Sequence, residues 1–322
     1  MSTNELVTAV AGAFDVAVSF DASVVVVVVA AAFVASVVTG ALGYGFSSVT
    51  VPAGLAVTTS RVLNPALVLV EVVVNAGTVF ANRDGLRAAW PHVRHLLMGL
   101  LPGVLVGALI LDVVSAAHLK ASTYAVLLPL VLLQLWLRRR RTVVATSAAL
   151  RPSVGAAFGA GLGVLYATTT LSGPPLALFF SARGLVHADF RAALAVVRVI
   201  EAALALIAYA ALGLLHKDGA VLAALMFPVV AIGLPLGRRI ATLLSPAAFS
   251  SVVLGTDAVL VSIGLAATAL SLGAPTLVVA GGAVSVAILV GSAFALRASA
   301  DAQHAIAQAA ADPDVAVEVP QP

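Results

Sequence analysis

Long apolar stretches alternate with short polar or charged connections along most of the chain. A helix that spans a bilayer needs about 20 mostly apolar residues. Such stretches predict membrane-spanning helices at Ala22–Gly43, Val62–Ala81, Val93–Val113, Ser122–Leu137, Ser153–Leu171, Ala192–Gly213, Ala220–Leu236, Ala247–Leu270 and Pro275–Leu296. The pattern therefore predicts an all-α polytopic membrane protein.

Two further apolar stretches, Ser47–Thr58 and Pro174–Ala182, are too short for an ordinary span and each contains proline. Irregular backbone is tolerated at membrane depth only where protein or a water-filled cavity surrounds it. Each stretch is therefore interpreted as a half-helix, a tilted span or a re-entrant loop, and the pattern leaves the choice open.

The composition agrees with a lipid environment. Hydrophobic residues make up 61% of the chain, charged residues 10%, and mean hydropathy is +1.13. A water-exposed surface does not tolerate these values over 322 residues. The chain has no cysteine, which excludes disulfides and thiolate chemistry. Its basic residues flank apolar stretches, so the formal charge of +3 indicates membrane orientation and no nucleic-acid partner.

Basic residues predict the orientation, because cytoplasmic loops are enriched in lysine and arginine. If both short stretches cross, 13 of the 17 basic residues share one side: Arg83, Arg87, Arg94, Arg138 to Arg141, Arg151, Arg183, Arg191, Arg238, Arg239 and Arg297. This predicts an inner-membrane protein with its N-terminus outside and its C-terminus in the cytoplasm. Re-entrant stretches would move Arg83, Arg87 and Arg94 outside, a poorer fit.

The two short stretches belong to an internal repeat. Tyr44-Gly-Phe-Ser-Ser-Val-Thr-Val-Pro52 lies 122 positions before Tyr166-Ala-Thr-Thr-Thr-Leu-Ser-Gly-Pro174, and Glu71 aligns with Arg198 at an offset of 127. Each unit has five membrane elements, so the second copy is predicted to be inverted, as in many secondary transporters. The predicted division is an extracytoplasmic segment 1–21, repeats 22–142 and 152–270, an additional helix 275–297 and a disordered cytoplasmic tail 298–322.

Hydroxyl groups cluster where the helices are interrupted. They could bind a solute together with the free N–H groups of the helix that follows each break, and an oxyanion suits such helix starts. Alternatively, these hydroxyls only cap helices or bond to carbonyls one turn back. The predicted substrate-binding residues are Tyr44, Ser47, Ser48, Asn64, Asn75, Tyr166, Thr169, Thr170, Ser172, Gly173, Pro174 and Arg198.

Four charged residues fall inside predicted spans: Glu71, Arg198, Glu201 and Asp257. Each costs at least about 2.5 kcal/mol in the bilayer centre, so each needs a partner or a function. In the functional interpretation Arg198 attracts an anion and one of the three carboxylates takes up a proton. The alternatives are a Glu71–Arg198 ion pair that only fixes packing, or a cation site formed by the acidic residues.

Two motifs carry a family resemblance. Gly43–Pro52, and more specifically Ser172-Gly-Pro-Pro-Leu-Ala-Leu-Phe-Phe180 followed by Phe190-Arg191-Ala192, resemble the repeat signatures of the sulfite exporter TauE/SafE family of bacterial permeases. The resemblance covers roughly Ala22–Leu270 and implies transport of small sulfur-containing anions such as sulfite or organosulfonates, without an ATPase domain. The chain differs from common family versions at Asn64–Asn75, where a Gly-Thr-Ser run is frequent.

These observations predict a secondary transporter that alternately exposes a mid-membrane site between the repeats and couples to protons. The expected partners are a small anion, protons and the lipid bilayer, with no cofactor or metal, and a homo-oligomer is compatible with the sequence. Two alternatives remain at this point: a membrane-embedded hydrolase or transferase, and a cation transporter or channel using Glu71, Glu201 and Asp257. An enzyme is disfavoured because no buried histidine, cysteine or matched aspartate pair is evident.

Overall fold

The computed structural model describes residues 20–139, 151–185, 187–243, 259 and 261–273, and its regular elements there are helices. They are α1 Ala22–Leu42, α2 Phe46–Val57, α3 Ser60–Ala81, α4 Leu86–Val113, α5 Ala116–Arg139, α6 Pro152–Thr169, α7 Gly173–Ala182, α8 His187–Ala211, α9 Lys217–Leu243 and α10 Val261–Ser271, with a 3-10 turn at Arg83–Gly85. The predicted all-α polytopic fold is thereby confirmed.

Within these ranges, six helical segments are long and apolar enough to cross a membrane: Ala22–Leu42, Ser60–Ala81, Arg83–Val113, Ala116–Leu133, Asp189–Ala211 and Lys217–Ile240. The span predicted at Ser153–Leu171 forms α6 but is not among these six. Of the stretch predicted at Ala247–Leu270, the described part is helical at Val261–Ser271. The last predicted span, Pro275–Leu296, lies outside the described residues.

Both predicted short stretches form short helices, α2 and α7, each after a sharp break in the chain. The first break places Gly43 (φ 84°) and Gly45 (φ 109°) in the left-handed region, which glycine adopts without steric cost. The second break uses Thr170 at φ 57°, an unfavourable conformation for a β-branched residue. The second break therefore carries backbone strain at Thr170, and the surrounding contacts must offset its energetic cost.

Several helices extend past the apolar stretches that predict them. For example, α4 begins at Leu86, seven residues before the predicted Val93, and α9 continues to Leu243 beyond the predicted Leu236. These extensions carry Arg87, Arg238 and Arg239. Hydropathy locates the part of a helix that contacts hydrocarbon, whereas backbone hydrogen bonding continues through the charged ends.

Two helix pairs pack backbone against backbone through glycine. The contacts between α4 and α6 and between α1 and α9 are the most extensive in the described part of the chain. A methyl group added at Gly103 would overlap the Ala160 carbonyl oxygen, and one at Gly237 would overlap that of Val37. The same obstruction applies at Gly40, Gly99 and Gly159. Small residues permit this approach, and Gly99, Gly103 and Gly107 repeat at four-residue spacing along the contact face of α4.

Helices α3 and α8 pack against each other between these two pairs. Each has a strongly amphipathic pattern, with Asn64, Glu71 and Asn75 on α3 and Arg198 and Glu201 on α8 all buried. Residues spaced three, four or seven apart share a helical face. The polar faces of the two helices are thus directed into protein and away from lipid.

Candidate functional site

Glu71 of α3 is the centre of a buried polar cluster. Its carboxylate accepts hydrogen bonds from the Tyr166 hydroxyl and from Arg198 Nη2, each at 2.7 Å, and from the Ser47 hydroxyl. Glu71 is 0% exposed and Arg198 is 2% exposed. The cluster joins α2, α3, α6 and α8, so residues from both halves of the chain meet at one carboxylate. The ion pair considered in the sequence is therefore present.

Arg198 uses only part of its hydrogen-bonding capacity. Nη2 binds Glu71, but Nε and Nη1 are buried without a hydrogen-bond partner among the described residues. A guanidinium offers its donors in a planar fork that matches the oxygens of carboxylates, phosphates and sulfonates. Buried donors are normally satisfied, so these two nitrogens are the donors of the cluster that could bind an anionic group.

Glu201 lies one helical turn after Arg198 and is fully buried. Its Oε2 accepts a hydrogen bond of 2.5 Å from the Ser172 hydroxyl, while Oε1 has no partner in the described part of the structure. The arrangement resembles that of Ser47 and Glu71, because in each half a serine at the start of the short helix binds a carboxylate on the long helix that follows.

The starts of the two short helices lie side by side. A methyl group added at Gly173, the first residue of α7, would lie 3.5 Å from Tyr44 Cδ2 and 3.9 Å from the Gly45 backbone nitrogen. Gly45 immediately precedes α2. Two positive helix ends therefore point towards the buried cluster, and a negatively charged group there is stabilised by both.

Side chains also satisfy carbonyl groups at the ends of the interrupted helices. Asn64 Nδ2 donates to the Thr168 carbonyl at 2.6 Å, and the Tyr209 hydroxyl donates to that of Ala167 at 2.5 Å. At the other break, Arg191 Nη2 donates to the Ala41 carbonyl at 3.3 Å. Carbonyls left without a helical partner need such donors within a membrane.

The predicted hydroxyl residues divide into two groups. Ser47 and Ser172 bind the carboxylates, whereas Thr169 donates to the carbonyl four residues earlier and Thr170 donates to the adjacent Thr169 carbonyl. These threonines therefore have the local role that the sequence offered as an alternative to solute binding, because they bond to backbone carbonyls beside the helix breaks.

The remaining predicted residues that the structure describes make no hydrogen bond to Glu71, Arg198 or Glu201. Ser48 is buried in α2, and Asn75 is buried on α3 with Nδ2 lacking a partner among the described residues. Pro174 follows Gly173 in the first turn of α7. Asp257 lies outside the described residues. Among the described residues, no group of three or more His, Asp or Glu side chains is placed to hold a metal ion.

The family model described as sulfite exporter TauE/SafE matches residues 28–263. The chain belongs to the sulfite exporter TauE/SafE family. Neither the comparison with curated proteins nor the comparison with solved structures gives a significant match. The family resemblance of the two motifs is thereby confirmed.

As a TauE/SafE family member, the chain is a multi-pass membrane protein of a family of transporters for sulfite-type anions. The matched region contains both interrupted helices, the Glu71–Arg198 pair and Glu201. The polar cluster therefore lies within the part of the chain that defines the family.

Tyr209 also contributes to this TauE/SafE site, and it was not identified from the sequence. Tyr209 lies on α8, 11 residues after Arg198, which is close to three helical turns and hence on the same face. Its hydroxyl binds a carbonyl at the second break. The face of α8 that carries Arg198 and Glu201 was the available signal, but a tyrosine in an apolar helix does not stand out.

Proposed function

We propose that the protein is a secondary transporter for a small sulfur oxyanion such as sulfite or an organosulfonate, bound between the two halves of the chain. The observation that carries this proposal is the buried Arg198 guanidinium with Nε and Nη1 open. Two ligand oxygens would bind these nitrogens, and the starts of α2 and α7 would add favourable potential. Substrate contacts are proposed also for Tyr44 and Gly173, which lie beside each other, and for the buried Asn75.

The charge balance supports coupling to protons. Glu71, Glu201 and Arg198 sum to a net charge of −1 when all three are ionised, so an anion entering the cluster adds to an existing negative charge. In a medium of low dielectric constant such an arrangement is costly. A proton that enters with the anion reduces that charge, and Glu201, which has an open oxygen, is the proposed carrier.

Alternating access between two inverted repeats, 22–142 and 152–270, completes the proposal. Its support is a reciprocal set of contacts: α1 packs on α9, and α6, the corresponding helix of the second repeat, packs on α4. Two polar contacts between the repeats are also related by the offset of 127 positions. Asn64 binds the Thr168 carbonyl, while Arg191, 127 positions after Asn64, binds that of Ala41, 127 positions before Thr168. Interrupted helices at a repeat interface are typical sites in such transporters.

We place the protein in the bacterial inner membrane with the start of α4, which carries Arg87, on the cytoplasmic side, because basic residues concentrate there. The chain lacks cysteine, so single cysteines at positions 87 and 217 can be introduced without background. In intact cells, an impermeant thiol reagent should label position 217 and leave position 87 unlabelled. Labelling of position 87 from outside would contradict this orientation.

The transport activity is tested by uptake into proteoliposomes holding the purified protein. Sulfite, organosulfonates, carboxylates and inorganic cations are offered as a panel, each with and without an imposed pH gradient. We expect saturable flux of the sulfur oxyanions that responds to the gradient, since a carrier binds its solute and the proposed cycle includes a proton. Flux that does not saturate and ignores the gradient would contradict the carrier mechanism.

The same panel tests one competing function. Two buried carboxylates against one buried arginine also suit a cation, which Glu201 Oε1 would bind. Saturable cation flux without anion flux would replace the anion proposal by this one. Empty liposomes and liposomes with heat-denatured protein provide the background rate.

A further inference from the structure

The buried cluster contains an open acceptor beside the open donors, and this composition restricts the ligand. Around Arg198 and Glu201, one turn apart on α8, the atoms without partners in the described residues are Arg198 Nε, Arg198 Nη1 and Glu201 Oε1. Two of these donate and one accepts. An anion without a hydrogen-bond donor can accept from Arg198 Nε and Nη1. It then places its negative charge against Glu201 Oε1, which stays without a donor.

We infer that the site recognises a small oxyanion that itself carries a hydrogen-bond donor, with one proton shared between the ligand and Glu201 Oε1. This inference rests on the proposed anion transport and specifies its substrate class. A protonated monoanion such as hydrogensulfite and a sulfonate bearing a hydroxyl group share this chemistry. In either case two oxygens bind Arg198 and the ligand donor binds Glu201.

Glu201 is singled out because both oxygens of the other carboxylate already accept hydrogen bonds. Glu71 Oε1 accepts from Ser47 and Arg198, and Oε2 accepts from Tyr166. Glu201 accepts from Ser172 alone. The charged and titratable groups acting on it are Arg198 on its own helix, Glu71 on α3 and Tyr166 on α6. A donor that reaches the cluster therefore finds its open acceptor at Glu201.

A ligand without a donor can bind only when Glu201 supplies the proton. The shared proton then comes from the carboxyl group, and binding becomes dependent on pH. A ligand with its own donor binds to the ionised carboxylate, and its affinity is less sensitive to pH. Two sulfonates that stay ionised across the pH range, one with a hydroxyl and one without, separate these cases.

The experiment compares 2-hydroxyethanesulfonate with propane-1-sulfonate, in which a methyl group replaces the hydroxyl. Binding of each to the purified protein in lipid nanodiscs is measured by titration calorimetry from mildly acidic to mildly alkaline pH. At the alkaline end we expect the hydroxyl compound to bind about tenfold more tightly, the ratio that one hydrogen bond to a charged group provides. Towards acidic pH the ratio should approach one.

Glu201→Gln preserves the side-chain volume and removes the titrating group, so the pH dependence for propane-1-sulfonate should disappear. Asp84→Asn, at an exposed position in the 3-10 turn, is the matched control and should keep it. Equal affinities for the two sulfonates at every pH, with sulfite transport intact, would overturn the inference alone. Absence of binding by both, together with absence of sulfite flux, would overturn the proposed function as well.

Discussion

Replacing Arg198 with lysine is expected to reduce sulfite transport about 100-fold or more. Lysine keeps the positive charge, but its three donors radiate from one tetrahedral nitrogen and cannot reproduce the planar fork in which Nη2 binds Glu71 while Nε and Nη1 are left for a ligand. Each charge-assisted hydrogen bond contributes about 1.5–3 kcal/mol, so the loss of two accounts for the predicted factor. The initial rate of uptake into proteoliposomes measures the effect.

The matched control is Arg87→Lys, the same change at an exposed position near the start of α4. It should transport at the wild-type rate and reconstitute to the same level. Arg198→Ala should be inactive too, but it leaves Glu71 without its cation, so only the lysine variant separates recognition from folding. Wild-type flux through Arg198→Lys would remove the guanidinium fork from the substrate site.

Replacing Glu71 with alanine is expected to have the largest effect on stability, about 3–5 kcal/mol. Removing one partner of a buried ion pair leaves the other charge buried and uncompensated. Here Arg198 would lose its acceptor, and the hydroxyls of Ser47 and Tyr166 would lose theirs. The midpoint of thermal unfolding in detergent, compared with wild type under identical conditions, reports the loss.

Two further variants test the physical reason. Glu71→Gln keeps an oxygen for one donor and should lose less stability than Glu71→Ala. The double variant Glu71→Leu with Arg198→Met removes both charges and should recover most of the stability, because paired apolar groups of similar size avoid the desolvation cost. It should remain inactive in transport. If Glu71→Ala unfolds like wild type, Glu71 is not the structural centre of the cluster.

Much of the fold followed from hydrophobicity alone. The helices are long apolar stretches, and the two breaks were visible as short proline-containing segments, which the structure forms as α2 and α7. The sequence aligned Glu71 with Arg198 in the two repeats and offered an ion pair between them as one interpretation. The meeting of these two residues followed from the repeat offset of 127.

The individual contacts could not be predicted, because they join residues far apart in the chain. Nothing local distinguishes Ser47, which binds Glu71 24 positions later, from its neighbour Ser48. Similarly, three consecutive threonines precede Ser172, yet only Ser172 reaches a carboxylate among the contacts described. Which hydroxyl reaches a carboxylate depends on side-chain rotamers and on the rotation of each helix within the packed bundle, and composition does not encode these.

The glycine contacts determine which helices can move together. Because α4 touches α6, and α1 touches α9, through main-chain atoms, neither pair can slide without breaking contact along its length. Each pair takes one helix from either half of the chain. In the proposed transport cycle, a change of access that preserves these contacts would shift two mixed bodies against each other. The ionic groups of α3 and α8 would then lie where the two bodies meet, because α3 packs on α9, α8 packs on α4, and the two helices contact each other.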